Sequence, residues 1–519
     1  MTVYLKDLYL GYADGDTEAS ECNFKDLFYT GNNKYDDITK NNMKFIIAGQ
    51  KGTGKTILGR FIEETYKEKC IECRIFNKND ITLIKLIEKK NDVLSDDEAV
   101  HFFKWIIYYE IFKILENVNL NTRFRFSKDY FKELRNVREY KKALQSLKTL
   151  YDERYPKGNF EFIDYMTSDE ESIGAEIAVE SALKSKVSSN KKRTKSTNNK
   201  KKDFYKVLTE VEGHLFTCLK YKSVVFILDD LDELEIKIDT NISAPLTSIK
   251  KLIEAFKDIN TSFVKRKVSP SKCIMLIRTD ILDKLNKTST NLNKVLKDNT
   301  VELYWIEKLE NSPEKHILME MILNKIRLSS DEYRYLDNKT LYYKIFPKDI
   351  NGDSTLKFLL DHSFGRPRDL ISYLDIIAQR YPNETEFKEY MFRECRQAYS
   401  ECFLKELYNE MNIHIKLEVV EEYLKLIRLL GYNSFYLKQL NKCYKANRKE
   451  FKYIKDIKKT LEVLYGFGIV GNSWETTKGT SGVKRINFSW GYRKDGNPNI
   501  NTTQKFSVHY GLRKALNTN

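Results

Sequence analysis

Patterns that hold metals or run redox chemistry are missing from this chain. Its eight cysteines are scattered over 519 residues, and Cys70 and Cys73 are the only close pair. No second pair or matching histidine spacing completes a zinc site, so ordinary reduced thiols are expected, with Cys70 and Cys73 around a strand start. The six histidines, at 101, 214, 316, 362, 414 and 509, show no ligand spacing either. Long apolar runs are also lacking. The most membrane-like stretch, His101 to Leu115, is broken by Lys104, Glu110 and Lys113 and is too short to span a bilayer. The N-terminus, MTVYLKDLYLGYADGD, has no basic region followed by an apolar one. A cytoplasmic protein without membrane contact is therefore expected. No nuclease, protease, deaminase or TIR-like motif is recognisable, so any toxic output would belong to a partner.

What is present builds a folded protein. Hydrophobic residues make up 41% of the chain and aromatics 13%, enough for packed cores in about three or four domains. Lysine and arginine number 89 against 74 acids, a net charge of +15. That balance suits nucleic acid, acidic proteins or anionic nucleotides without choosing among them.

Residues 49 to 56 read GQKGTGKT, a complete G-x-x-x-x-G-K-[ST] pattern. The apolar run Met43 to Ala48 precedes it as a strand, and Ile57 to Lys69 follows with helical spacing of Ile57, Leu58, Phe61, Ile62 and Tyr66. A strand, a glycine loop and the positive end of a helix dipole make a phosphate cradle. Gly49, Gly52 and Gly54 free the backbone to turn its N–H groups inward. Gln50, Lys51, Thr53 and Ile57 complete the candidate nucleotide-binding set. Lys55 is expected to reach the β- and γ-phosphates of ATP, and the Thr56 hydroxyl to ligate Mg²⁺.

A second run, SVVFILDDLDEL from Ser223 to Leu234, has the continuous apolar pattern of a central parallel strand. Asp229 and Asp230 fall at its carboxyl end, where open α/β sheets place ligands. Asp229 is expected to hold Mg²⁺, and Asp230 to orient or deprotonate the attacking water. Asp232 and Glu233 extend the acidic cluster, either toward the site or as a solvated helix start. A third strand, Cys273 to Ile277, ends in Arg278, placed either to sense the γ-phosphate or to pair with Asp280 or Asp229. Val301 to Trp305 gives one more strand. Further on, Gly365-Arg366-Pro367-Arg368-Asp369-Leu370 puts a proline at a helix start. Arg366 or Arg368 could reach back to the nucleotide from a helical lid, and Arg368 could instead pair with Asp369. Upstream of the glycine loop, Phe28 or Tyr29 either stacks on the base or joins the core.

Thr56 and Asp229 are separated by 172 residues, so the core, residues 1–310, carries an insertion at about 120–205. Lys184 to Lys202 holds nine Lys or Arg and no acid and reads as a solvated loop, or as an arm for nucleic acid. A helical lid is expected at 311–400 and a winged-helix-like domain at 401–519. The latter rests on helices at Glu418–Leu430, Phe435–Tyr444 and Ile454–Leu464. A hairpin follows, in which Lys505 to His509 pairs back on Arg485 to Tyr492, and Lys484, Arg485, Arg493 and Lys494 charge the wing.

The order GQKGTGKT, FILDDLDEL, LIRTD, LYW and GRPRDL resembles bacterial P-loop ATPases related to the STAND and KAP classes, found in phage-defence and mobile-element loci. The opening and ending segments are similar as well. The resemblance implies an α/β fold with an ASCE-type parallel sheet, a helical lid and a winged helix. It also implies an ATP state that controls assembly or an effector, which would be encoded nearby, and a homo-oligomer. Three functions follow as expectations: an ATP-driven switch in anti-phage defence, an initiator-type ATPase that loads on or remodels DNA, and a module that binds ATP without turnover. An acid at Asp230 argues against the third.

Overall fold

The computed structural model describes residues 2–77, 96–118, 130–154, 205–229, 231, 243–288, 292–306, 312–478, 483–494 and 496–518. Asp230, Asp232, Glu233 and the basic run 184–202 lie outside the described residues, as does most of the expected insertion.

Five strands form one parallel sheet: β1 (Ile46–Gly49), β2 (Glu72–Phe76), β3 (Val224–Leu228), β4 (Lys272–Arg278) and β5 (Thr300–Leu303). Their order is β2-β3-β4-β1-β5, with every pairing parallel. β3 and β4 are buried along their whole length, which is why both read as unbroken apolar runs rather than as an alternation. On one face, α2 (Lys55–Glu68) packs Leu58 and Ile62 against Ile47, Ile227 and Leu276. The other face is covered by α3 (Asp96–Glu116) and α5 (Ser243–Lys265), which bury Phe103, Ile107 and Phe256 over Phe226 and Met275. Between them in sequence, α4 (Tyr130–Arg154) lies on α3, with the Tyr140 hydroxyl donating to the Leu115 carbonyl at 2.9 Å. Each fully buried Phe or Ile contributes on the order of 1.5–3 kcal/mol, so the layer order is fixed by the apolar runs. The last strand stops at Leu303, two residues earlier than the sequence suggests.

The second half is helical and then mixed. α6 (Thr279–Thr288) follows β4 directly. α7 (Ile317–Arg327), α8 (Pro367–Arg380) and α9 (Arg396–Asn412) lead to α10 (Leu417–Leu430), β6 (Ser434–Phe435), α11 (Leu437–Ala446) and α12 (Ile457–Gly466). Then come β7 (Val470–Lys478), β8 (Val483–Ser489) and β9 (Lys505–Val508). Pro367 opens α8, and Gly431 closes α10 in the left-handed conformation at φ 69°. One apolar core runs from Leu5, Leu8 and Leu10 through these helices to Leu512 and Leu516. The boundary expected at 400/401 falls inside α9.

The terminal sheet has the order β6-β9-β7-β8. The expected pairing of 505–509 with 485–492 is therefore corrected. β8 pairs with β7, and β9 pairs with β7 and β6. The polar stretch Gly471–Lys478 extends the apolar start of β7 and fills the place between them. Among the described residues no helix is long and apolar enough to cross a membrane.

Candidate functional site

β1 runs in the sheet between β4 and β5 and delivers Gly49 level with Arg278 on one side and Leu303 on the other. The loop that follows needs glycine twice. Gly52 and Gly54 sit at φ 81° and 92°, values that residues with a Cβ rarely adopt. Thr53 folds the loop back by donating its hydroxyl to the Gln50 carbonyl at 2.8 Å. The indole N–H of buried Trp305 donates to the Thr53 carbonyl at 2.9 Å and braces the loop from behind. Because β5 ends at Leu303, Trp305 is free of the ladder and can turn toward it.

α2 begins at Lys55, with no acidic residue in its first turn, so its positive end faces the loop. The Lys55 ammonium donates to the carbonyls of Gly49 and Gln50, each at 3.3 Å. The Thr56 hydroxyl donates to Asp229 Oδ2 at 2.7 Å. Asp229 is buried just beyond β3, and its backbone N–H donates to the Phe76 carbonyl at 2.9 Å. Thus residues 173 positions apart in the chain meet as a hydroxyl–carboxylate pair, oxygen ligands of the kind a hard cation takes.

These groups line a cavity of about 380 Å³, within the roughly 300–1,000 Å³ usual for small-molecule pockets. The part of its wall around Tyr12 to Glu18 was not legible in the sequence. The N-terminal segment lies over the loop through α1 (Gly15–Ala19), which Asp14 caps by accepting the Thr17 N–H at 2.8 Å. A Cβ at Gly15 would stand 3.1 Å from the Ile57 nitrogen, so a side chain there would crowd α1 against α2. Thr17 bonds hold the Asp14 carboxyl below the usual carboxylate range. Behind it, buried Glu18 pairs with Lys325 of α7 and accepts the Tyr12 N–H at 2.9 Å. Burial lowers the Lys325 ammonium, and Glu18 opposes that shift. Phe28 and Tyr29 do line the cavity. Phe28 is also stacked on Phe61, with ring centroids 4.0 Å apart, and the Tyr29 hydroxyl donates to Glu320 at 2.5 Å.

The two lid arginines separate. Arg368 lines the loop cavity, donating to the Ala13 carbonyl at 2.9 Å, with Glu406 of α9 at 3.4 Å. Arg366 is buried elsewhere, bonded to Asp369 at 3.0 Å and Glu410 at 2.6 Å. Burial disfavours its charge, yet the two carboxylates hold it raised above the ordinary guanidinium value. The carboxylate of Asp369 is thus taken by Arg366, not by Arg368. Lys51 of the loop lies 3.8 Å from the same Glu406.

Arg278 is not brought into this cavity. Its guanidinium donates to Asp280 at 3.0 and 2.7 Å, as expected of an arginine held in a resting pair. Asp280 accepts from His414 Nε2 at 2.6 Å, and His414 Nδ1 faces the Lys284 ammonium at 2.6 Å. Burial works to raise the Asp280 carboxyl, but the His414 bond and the Arg278 charge bring it below its usual range. This chain of groups lines a second cavity of about 930 Å³ between the strand tips and the C-terminal unit. Gln50 belongs to that cavity too, its amide 3.4 Å from the Tyr492 carbonyl.

Residues 316–408 match the FunZ-associated C-terminal helical domain. The matched segment holds α7, α8 and most of α9, and so supplies Lys325 and Arg368 to the first cavity and Arg366 to the second, with Glu406 beside Arg368. The family is tied to defence-type loci. No curated protein matches the chain.

The structure places three of the residues expected to charge the wing. Lys494 pairs with Glu302 of β5 at 2.6 Å and lies over the Tyr304 ring, so it ties the C-terminal unit to the core. Arg493 lines the second cavity. Arg485 is exposed on β8. Among the described residues no group of three or more His, Cys, Asp or Glu is placed to hold a metal ion.

Proposed function

We propose that the chain is a Mg²⁺-dependent ATPase acting as a nucleotide-controlled switch in a bacterial anti-phage defence system, where it regulates a partner effector. The observation that carries this reading is the 2.7 Å bond from Thr56 to Asp229 beside Lys55. It joins the glycine-loop helix to the acidic strand across a sheet in which β4 lies between β1 and β3. An additional strand in that place is the feature that names the ASCE type, and the match at 316–408 supports the defence setting.

The residues present fit the group they are proposed to hold. Loop N–H groups and the α2 dipole would bind phosphates, Lys55 would leave its carbonyl partners for them, and Thr56 with Asp229 would ligate the cation. ATP with Mg²⁺ would supply the phosphoanhydride and the charge that shields it. Asp230 is proposed to orient the attacking water. Arg368, touching both the loop and α9, is proposed to report occupancy to the matched helices. The unit from α10 to β9, helices followed by a hairpin, is proposed as a winged-helix-like output. Assembly with further copies of the chain belongs to the same proposal.

Purified protein should hydrolyse ATP only with Mg²⁺. Lys55→Ala should abolish nucleotide binding, and Asp230→Asn should keep binding while lowering turnover about a hundredfold or more. Unchanged turnover in Asp230→Asn would remove the base assignment. Wild-type protein that binds no nucleotide would remove the ATPase reading altogether.

A further inference from the structure

We infer that the exposed face of α11 binds the phosphate backbone of duplex DNA. α11 turns Leu440 and Tyr444 inward, while Lys438, Lys442 and Lys445 are exposed, followed by exposed Lys449 in the turn Arg448–Glu450. Steps of four and three residues keep Lys438, Lys442 and Lys445 on one helical face, a stripe about 10 Å long at 1.5 Å per residue, and Lys449 continues the basic run in the turn beyond the helix end. α11 itself, LKQLNKCYKA, carries no acid.

Glu450 in that turn and Glu422 on α10 are already committed. Glu450 pairs with Lys425 at 2.8 Å. Glu422 accepts the backbone N–H groups of Lys452, Tyr453 and Ile454 at 2.6, 2.8 and 3.1 Å. Among the described residues no ion pair holds these four lysines. Their positive field is therefore left facing solvent.

The partner follows from what the stripe contains and omits. Gln439 and Asn441 lie beside the lysines, and the exposed aromatics Tyr432 and Tyr436 stand at the helix entry, outside the stripe. A protein interface would want an apolar centre there. A uniform polyanion needs only spaced cations, and lysine meets phosphate as a point charge without reading bases. An α-helix enters the B-form major groove, whereas the A-form groove of RNA is too narrow.

Part of the neighbouring surface is already engaged. α12 sends Val463 and Gly466 into the wall of the second cavity, and Lys494 of the hairpin is held by Glu302.

The test is fluorescence anisotropy of the full chain, without nucleotide, on a labelled duplex of arbitrary sequence, roughly 20 bp long, across a salt series. Affinity should fall linearly on a log–log salt plot. Lys442→Glu/Lys445→Glu should weaken binding at least about tenfold and reduce the salt slope by about 2. Lys438→Gln/Lys449→Gln should act in the same direction, and Lys494→Gln should leave binding unchanged. Absence of binding at low salt, undiminished binding in both stripe variants, or preference for an RNA duplex or an acidic peptide would overturn the inference. Because no nucleotide is present, failure here and failure of the ATPase reading are separate results.

Discussion

Glu406 stands 3.4 Å from Arg368 and 3.8 Å from Lys51, two cations that border the proposed phosphate site. A carboxylate there competes with phosphate for both. Since all three side chains are partly exposed, each pair is worth at most about 1 kcal/mol. Glu406→Gln is expected to bind ATP about two- to tenfold more tightly, read by titration calorimetry. Equal affinity would mean that the carboxylate and the nucleotide do not compete. Trp305 makes a different kind of contribution, since its N–H satisfies a loop carbonyl in a buried setting. Trp305→Phe keeps the ring but loses that bond, which should cost about 1–2 kcal/mol of stability and weaken ATP binding. Denaturant melts with and without nucleotide check both effects. Of the residues in the cavity, Lys55, Thr56 and Asp229 were legible because their chemistry sits in local motifs. Glu18 and Trp305 were not, because nothing near them in sequence marks what they touch.

At the scale of elements, the helices from α7 onward bury neutral histidines. Burial lowers His316 and His362 to about 4 and His509 to about 3. His316 accepts the Leu318 N–H at the start of α7, His362 stacks on Phe358, and His509 accepts the Gly511 N–H while touching Phe364 and Trp490. With folded values below the unfolded value of about 6.5, the unfolded chain binds more protons as pH drops. Stability from these groups is therefore intact above about pH 6.5 and is lost as pH falls toward 4. Circular dichroism melts should show the transition dropping over that window, by on the order of 2 kcal/mol per histidine at pH 4.5. His509→Gln, which can still accept a hydrogen bond, should flatten the fall. A midpoint that stays level from pH 7 to 4.5 would contradict it. The elements themselves were largely readable. Strands β1, β3 and β4 announce themselves as apolar runs. β7 was missed because its outer half is polar, and pairing to two strands, not hydrophobicity, makes it a strand.

On the scale of the whole molecule, specific polar contacts join the sheet core to the C-terminal unit. Lys494 meets Glu302, His414 meets Asp280, and Gln50 meets Tyr492. The N-terminal segment adds another tie, since Leu5, Leu8 and Leu10 lie in the core of the helical half while Gly15 rests on α2. A nucleotide that draws Lys51 and Arg368 away from Glu406 would loosen α9 from the loop. Hydrogen exchange is expected to rise in α9 and around 491–494 when ATP and Mg²⁺ are added, and not in Lys55→Ala. Exchange that is identical in both states would exclude coupling through α9.

By itself the sequence determined the glycine loop between strand and helix, the acidic strand end and the α/β character, because those depend on short runs whose backbone and charge requirements are local. Tertiary structure alone decided which arginine faces the loop, that Arg278 is spent on Asp280, and where the basic surface of the C-terminal unit lies. Each of those is a choice among partners hundreds of residues apart, settled by burial and by which carboxylates are left to compete. Composition fixes how many charges a chain has; only the packed fold determines which of them remain unanswered.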